Sequence, residues 1–155
     1  MGLGIFKSLL EINQLRSLMD LVLIIGRILF ALIFINSGIA HFTKTSAMTG
    51  YAQYKKVPAA KASVLLSGLV ILLGGVSIVL GVYADLGALL IALFSIVSAF
   101  MMHNFWTIED ETTKQNEVYA FFKNLSIGGA ALMLFVLIGQ GASIGASLGS
   151  PFFNL

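Results

Sequence analysis

The sequence has no cysteine and very little charge. Only 10% of its 155 residues are Asp, Glu, Lys or Arg, whereas soluble domains carry roughly 25%. The absence of cysteine excludes disulfide exchange, thiolate metal sites and thiol nucleophiles. A water-soluble domain with so few charges could not cover its own surface, so we expect lipid to cover this one.

Signals for nucleic acids and nucleotides are also missing. The formal net charge is only +2, and no basic stripe alternates with aromatic residues, so we expect no nucleic-acid partner. The sequence contains neither a nucleotide-binding loop nor a flavin fingerprint, which argues against an independent catalyst.

Long apolar segments dominate the chain, and hydrophobic residues make up 58% of it. A membrane span needs about 20 predominantly apolar residues. The sequence therefore predicts four spans, at residues 21–40, 62–82, 86–102 and 125–139, the last extending back to about residue 121. We predict an all-α fold, an integral membrane four-helix bundle in contact with the lipid bilayer. Its even number of spans places both termini on the same side.

The first twenty residues form a different kind of segment. Apolar residues recur there every three or four positions, with charged residues on the other faces. This spacing predicts an amphipathic helix that lies on the membrane or leads into the first span. We expect three regions: the N-terminal amphipathic helix at 1–20, the four-span domain at 21–140 and a C-terminal tail at 141–155. The apolar positions of the helix are Ile5, Leu9, Ile12, Leu15 and Met19.

Arg27 lies inside the first span, where lipid disfavours a charge. Its depth of about 10 Å, at 1.5 Å per residue, lets its side chain reach the end of the bundle that holds both termini, which we call the terminal face. Asp85, in the short connection between the second and third spans, belongs to the same face. Two interpretations stay open: a structural ion pair or snorkelling arginine, and a site for an anionic head group or substrate.

Polar residues gather at the opposite end of the bundle, the loop face, where the connections 41–61 and 107–120 lie. Histidine can bind haem iron or exchange protons with a quinone. Haem is disfavoured because nothing else marks a haem pocket, and we expect no metal site. Ordinary interfacial residues explain the same group without any chemistry. The candidate residues are Asn36, Ser37, His41, His103, Asn104, Lys123 and Asn124.

Charges near the loop face do not settle the orientation. Six lysines at this face, against three cations at the terminal face, favour a cytoplasmic loop face. The cations of the amphipathic helix argue for the reverse. The acidic residues of the second connection are expected to form a solvated surface; they are Glu109, Asp110, Glu111 and Glu117.

Small residues line the second span and open the fourth, and such residues mark surfaces where membrane helices approach closely. They predict close packing within the bundle. They also leave other membrane protein subunits, or a second copy of this chain, open as partners. Examples are Gly74, Gly75, Ser77, Gly128 and Gly129.

Several stretches resemble the DoxX family of membrane proteins. "GRILFALIFINSGIAHF" resembles the opening span of that family, and "LSGLVILLGGVSIVLGVYADLGALLIALFSIVSAFMMHNFW" resembles its second and third spans. "FFKNLSIGGAALML" and "GQGASIGASL" are similar to the fourth span and the closing segment. The resemblance runs from about residue 26 to residue 148, in the same order as in the family.

The resemblance implies a protein of a prokaryotic cytoplasmic (inner) membrane. Members of the family have been linked to quinone-coupled oxidation, so it implies a small subunit or partner of a quinone-linked membrane oxidoreductase complex, with quinone as its cofactor. The alternative is a non-catalytic assembly or stabilising subunit, because a fold does not fix a function. Carried over by position, the positions of interest are Arg27, Ser37, Gly38, His41, His103, Lys123 and Asn124.

Overall fold

A computed structural model describes the backbone of residues 2–155 and the side chains of residues 10–155. All regular structure in this part of the chain is helical. Four helices are long and apolar enough to cross a membrane, which confirms the predicted fold class. The helices are α1 (Gly2–Thr43), α2 (Thr45–Tyr54), α3 (Ala60–Leu80), α4 (Ala84–Met102) and α5 (Glu111–Gly139), with a 3₁₀ turn at Phe105–Thr107.

Helix α1 is longer than one span requires. Its 42 residues extend about 63 Å at 1.5 Å per residue, roughly twice the hydrocarbon thickness of a bilayer. The helix continues without a break through residue 20, and its side chains at 10–19 are exposed. The side chains of residues 1–9 lie outside the described residues, so the amphipathic stripe and the region boundary at residue 20 stay predictions.

The four long helices pack in the order α1, α3, α4 and α5, each antiparallel to the next. Glycines permit the closest approaches. A Cβ atom at Gly74 of α3 would lie 3.1 Å from the carbonyl oxygen of Gly87 in α4, and one at Gly128 of α5 would lie 2.8 Å from Ile96 of α4. Gly74 and Gly128 therefore act as contact surfaces within this chain, whereas Gly129 is exposed and has nothing within 4 Å of its Cβ position.

One buried apolar core joins all four long helices, while most of their other large apolar side chains face outward. This distribution suits helices that are surrounded by lipid, because lipid tails cover apolar surface without cost. The core residues are Ala31, Phe34, Ile71, Ile78, Ala88, Ile91, Ala92 and Ala131.

The two connections at the loop face contain more helix than the apolar pattern suggested. The first connection holds α2, and α5 begins at Glu111, about ten residues before the predicted span. The Asp110 carboxylate accepts the Thr113 N–H at 2.8 Å and so caps the start of α5. The residues that follow are polar, and hydropathy marks only the part of a helix that lies in lipid.

Residues 140–155, which we call the C-terminal strap, lack regular structure but fold back onto the terminal face. The Leu148 N–H donates to the Leu80 carbonyl oxygen at 3.0 Å, and the Tyr83 N–H donates to the Ser150 carbonyl oxygen at 3.1 Å. These hydrogen bonds attach the strap to the end of α3 and the beginning of α4.

Candidate functional site

His41 lies at the loop face in the wall of an apolar cavity. The cavity has a volume of about 820 Å³ and lies between α2, α3 and α4, and this volume is in the range of small-molecule sites, roughly 300–1,000 Å³. Its wall also contains Met48 of α2, Ser67 of α3, and Phe94 and Met101 of α4.

Two glycines bring α1 against α3 beside His41. A Cβ atom at Gly68 would lie 2.5 Å from the Cβ of His41, and one at Gly38 would lie 2.7 Å from the Cβ of Leu72. Both distances are shorter than real carbon–carbon contacts. Because these positions are glycine, the imidazole can lie directly on the backbone of α3.

The hydrogen bonds of His41 fix its tautomer. Its Nδ1 lies 2.8 Å from the Val64 carbonyl oxygen, which can only accept, so Nδ1 carries the hydrogen. The Ser67 hydroxyl oxygen lies 3.2 Å from the same nitrogen. Nε2 makes no hydrogen bond with the described residues, and they do not bury it. It is therefore accessible, with a free lone pair when the ring is neutral.

The cavity opens towards lipid. Leu66 of α3 and Leu93 and Val97 of α4 border it, and each of them is more than half exposed. Leu93 lies at the middle of α4, at a depth that lipid surrounds. Lys44, after the end of α1, also lines the cavity. The site is thus an apolar chamber with a lateral opening and a few polar groups at the loop face.

His103 belongs to a separate polar network. Its Nδ1 donates to the Glu117 carboxylate at 2.6 Å. The Lys55 ammonium lies 3.5 Å from the other oxygen of that carboxylate and donates to the Asn104 side-chain oxygen at 3.1 Å. The network ties the ends of α2 and α4 to the first turns of α5.

Glu117 departs from the expected solvated acidic surface, whereas Glu109, Asp110 and Glu111 are exposed as expected. Its side chain is only 17% exposed, because α5 starts early enough to turn this residue inward. Glu117 precedes the buried Phe121 by four residues and the buried Gly128 by eleven, so all three share one helix face. That spacing could have identified it. Lys55 has no comparable signal in the sequence.

The predicted polar group at the loop face is therefore divided among different surroundings. His41 lines the cavity, whereas His103 and Asn104 join the network. Asn36 and Lys123 are exposed, and Ser37 and Asn124 are partly buried. In the described part of the chain, no set of three His, Asp or Glu side chains is arranged to hold a metal ion.

At the terminal face, Arg27 is buried but does not form the ion pair with Asp85 that the sequence allowed. Neither residue takes part in a salt bridge within the described chain. Instead, the Arg27 Nη2 donates to the carbonyl oxygens of Val79, at 3.2 Å, and Ala146, at 2.8 Å. The guanidinium thus joins the end of α3 to the strap.

Asp85 is fully buried and also binds the strap. Its two carboxylate oxygens accept the backbone N–H groups of Phe152, at 2.8 Å, and Phe153, at 2.6 Å. The ion pair that the sequence left open does not form, because backbone groups of the distant strap bind each of the two side chains separately. Hydropathy and spacing carry no information on such partners.

Four apolar membrane-spanning helices around a shared core define an integral membrane protein of the four-helix bundle class. A family model described as DoxX matches residues 22–104, more than half of the chain. The chain belongs to the DoxX family, as its sequence motifs indicated. The matched region ends at Asn104, so the resemblance of α5 and the strap to the family stays a prediction. No curated protein and no solved structure matches this chain.

Proposed function

We propose that this chain is a quinone-binding subunit of a membrane oxidoreductase complex. The observation that carries the proposal is the position of His41 in the wall of an apolar cavity of about 820 Å³. A membrane quinone has a ring with two carbonyl oxygens and a long apolar tail. It needs an apolar site with few polar groups, reached from lipid. The exposed apolar border at Leu93 and Val97 supplies the lateral route for the tail.

In this proposal His41 accepts or donates one proton. Oxidation of a quinol to a quinone releases two electrons and two protons. Because Nδ1 keeps its hydrogen on the Val64 carbonyl oxygen, the accessible Nε2 accepts one quinol proton. The second proton leaves from the other ring oxygen to water at the loop face, where Lys44 borders the cavity. In the reverse direction the protonated ring donates to a quinone carbonyl oxygen.

The electrons pass to or from a redox centre on a partner subunit. The chain has no cysteine to ligate an iron–sulfur cluster through thiolates. In this proposal the chain therefore binds the quinone, and the partner subunit carries the electrons. The segment of α1 around residues 15–22 offers a surface for such a partner, because its apolar side chains are not buried by any part of the described chain. Leu15, Leu18, Met19 and Val22 are each at least 60% exposed.

The test compares two histidine variants of the purified protein in mild detergent. His41→Gln should weaken the binding of decylubiquinol, kept reduced, about tenfold, because the quinol hydroxyl donates to the Nε2 lone pair and about 1.4 kcal/mol is a typical contribution of one such hydrogen bond. His103→Gln is the matched control, because His103 does not line the cavity, and should bind as the unmodified protein does. Equilibrium dialysis gives both affinities. Undiminished binding by His41→Gln, or no binding by the unmodified protein, refutes the proposal.

The second candidate function is a non-catalytic assembly subunit, and the exposed apolar surface of α1 favours it. The two functions differ in their dependence on imidazole. The complex should be purified gently from its native membrane, with both histidines replaced by glutamine in a parallel preparation. Retained partners with unchanged quinone reductase activity support the assembly role. Retained partners with lost activity support the quinone site.

A further inference from the structure

Arg27 is a buried cation without an acidic partner. Arg27 is only 9% exposed. No carboxylate in the described chain forms a salt bridge with it. Asp85, the other buried charge at the terminal face, uses both carboxylate oxygens on strap N–H groups. A cation buried in this way is costly unless an anion accompanies it.

Two of its guanidinium nitrogens still have hydrogens to donate. Nη2 binds the carbonyl oxygens of Val79 and Ala146. Nε and Nη1 are buried and make no hydrogen bond within the described chain. Buried donors are rarely left without an acceptor, and the arginine donors suit the oxygens of phosphate particularly well. The unpaired donors therefore point to an acceptor that is not part of this polypeptide.

A small cavity lies close to these donors, separated from the guanidinium by the backbone of Gly81. It has a volume of about 210 Å³ and lies between the strap and the adjoining ends of α3, α4 and α5. Gly81 and Ser147 both belong to its wall. A Cβ atom at Gly81 would lie 3.0 Å from the Arg27 Nη1 and 2.5 Å from the Ser147 Cβ. Glycine at this position thus keeps the cavity next to the guanidinium.

We propose that Arg27 and the cavity under the strap form a binding site for a phosphate-type oxoanion at the terminal face. The anion accepts hydrogen bonds from Nε and Nη1 after a local movement of the strap, and its charge offsets that of the guanidinium. Ser143 and Ser147 line the cavity. The Ser143 hydroxyl accepts the Gly145 N–H at 3.3 Å and keeps its own hydrogen for the anion, whereas the Ser147 hydroxyl donates to the Gly149 carbonyl oxygen at 3.3 Å. The cavity admits one tetrahedral anion or the phosphate of a lipid head group, whose acyl chains would remain in the surrounding bilayer.

This site is independent of the quinone proposal. It lies at the terminal face, whereas His41 and the larger cavity lie at the loop face. Loss of anion binding should therefore leave decylubiquinol binding unchanged.

Two probes distinguish the sources of the anion, using the full chain in a neutral detergent. Binding of inorganic phosphate is measured by calorimetry. Retention of phosphatidylglycerol is counted by native mass spectrometry, after reconstitution in phosphatidylcholine vesicles with and without phosphatidylglycerol. Phosphate binding identifies a free anion, and retained phosphatidylglycerol identifies a lipid head group. The proposal is overturned if the unmodified protein retains neither probe.

The variants assign the binding to Arg27. Arg27→Gln should weaken binding of the responsive probe about tenfold or more. Arg16→Gln is the matched control, since Arg16 is exposed on the same helix, and it should change nothing. If Arg27→Gln does not fold, Arg27→Lys decides, because it keeps the charge and loses the guanidinium donors. Weaker binding by Arg27→Lys supports the site, and unchanged binding by either Arg27 variant overturns it.

Discussion

Replacing Asp85 with alanine should release the C-terminal strap and leave the helix bundle folded. The Asp85 carboxylate accepts the N–H groups of Phe152 and Phe153 at 2.8 and 2.6 Å. Alanine leaves both donors without an acceptor. The core of the bundle contains neither Asp85 nor any strap residue, so the damage should be local.

The size of the effect follows from the two lost hydrogen bonds. Hydrogen bonds to charged groups contribute about 1.5–3 kcal/mol each, or about 3–6 kcal/mol for the pair. Removing a buried carboxylate also removes its desolvation cost, which offsets part of this loss. We expect the free energy of strap opening to fall by about 2–3 kcal/mol, equivalent to an opening equilibrium about 30- to 150-fold larger.

Hydrogen–deuterium exchange read by mass spectrometry measures this opening. Peptides from the strap should exchange faster in Asp85→Ala, whereas peptides from the middle of α4 should not. Asp110→Ala is the control, because that carboxylate also accepts a backbone N–H but lies at the loop face. Strap exchange that stays at the unmodified rate would show that Asp85 does not anchor the strap. Faster exchange throughout α4 would show that the effect is not local.

Two further predictions concern a helix contact and a helix end. Gly68→Ala should lower the unfolding temperature in detergent, because the new Cβ would lie 2.5 Å from that of His41 and such overpacking costs about 1–3 kcal/mol. Gly129→Ala is the control, since nothing lies within 4 Å of its Cβ position, and it should leave the unfolding temperature unchanged. Equal decreases in the two variants would contradict the prediction. The first turn of α5 should fray in acid, since hydrogen bonds from the Thr113 hydroxyl and N–H hold the pKa of Asp110 below its ordinary value. This stabilisation is present above that ordinary value and is lost as the pH falls through the lowered pKa. The rate of hydrogen exchange at the Thr113 amide, followed against pH in the unmodified protein and in Asp110→Asn, measures this stabilisation. Identical pH profiles for the two proteins would refute the prediction.

The membrane-spanning architecture could be predicted from the sequence because each span is a local property. About twenty apolar residues in a row favour lipid whatever the rest of the chain does. The same holds for several small residues of α3 and α5: Gly74 and Gly128 proved to be contact surfaces, whereas Gly129 did not. The DoxX motifs of the first three spans also lie within continuous stretches, and family membership was confirmed on them.

The sequence pattern predicted the structure less well in the segments that lie outside the lipid. Helix α2 mixes polar residues with alanine, methionine and tyrosine, and the start of α5 is largely polar, so hydropathy distinguishes both poorly from loops. The cap at Asp110 and the helical spacing from Glu117 to Phe121 are present in the sequence, but an acidic run in a connection more often indicates solvent.

Only the tertiary structure decided which polar group each charge would meet. Arg27 is bonded to Ala146, and Asp85 to Phe152 and Phe153, across separations of 119, 67 and 68 residues. The cavity beside His41 likewise takes its wall from four helices, α1 to α4. Hydrophobicity determines that a segment enters the membrane, because the transfer free energy is summed over neighbouring residues. Hydrogen bonds and cavities depend on groups far apart in the chain, so they exist only once the helices and the strap have packed.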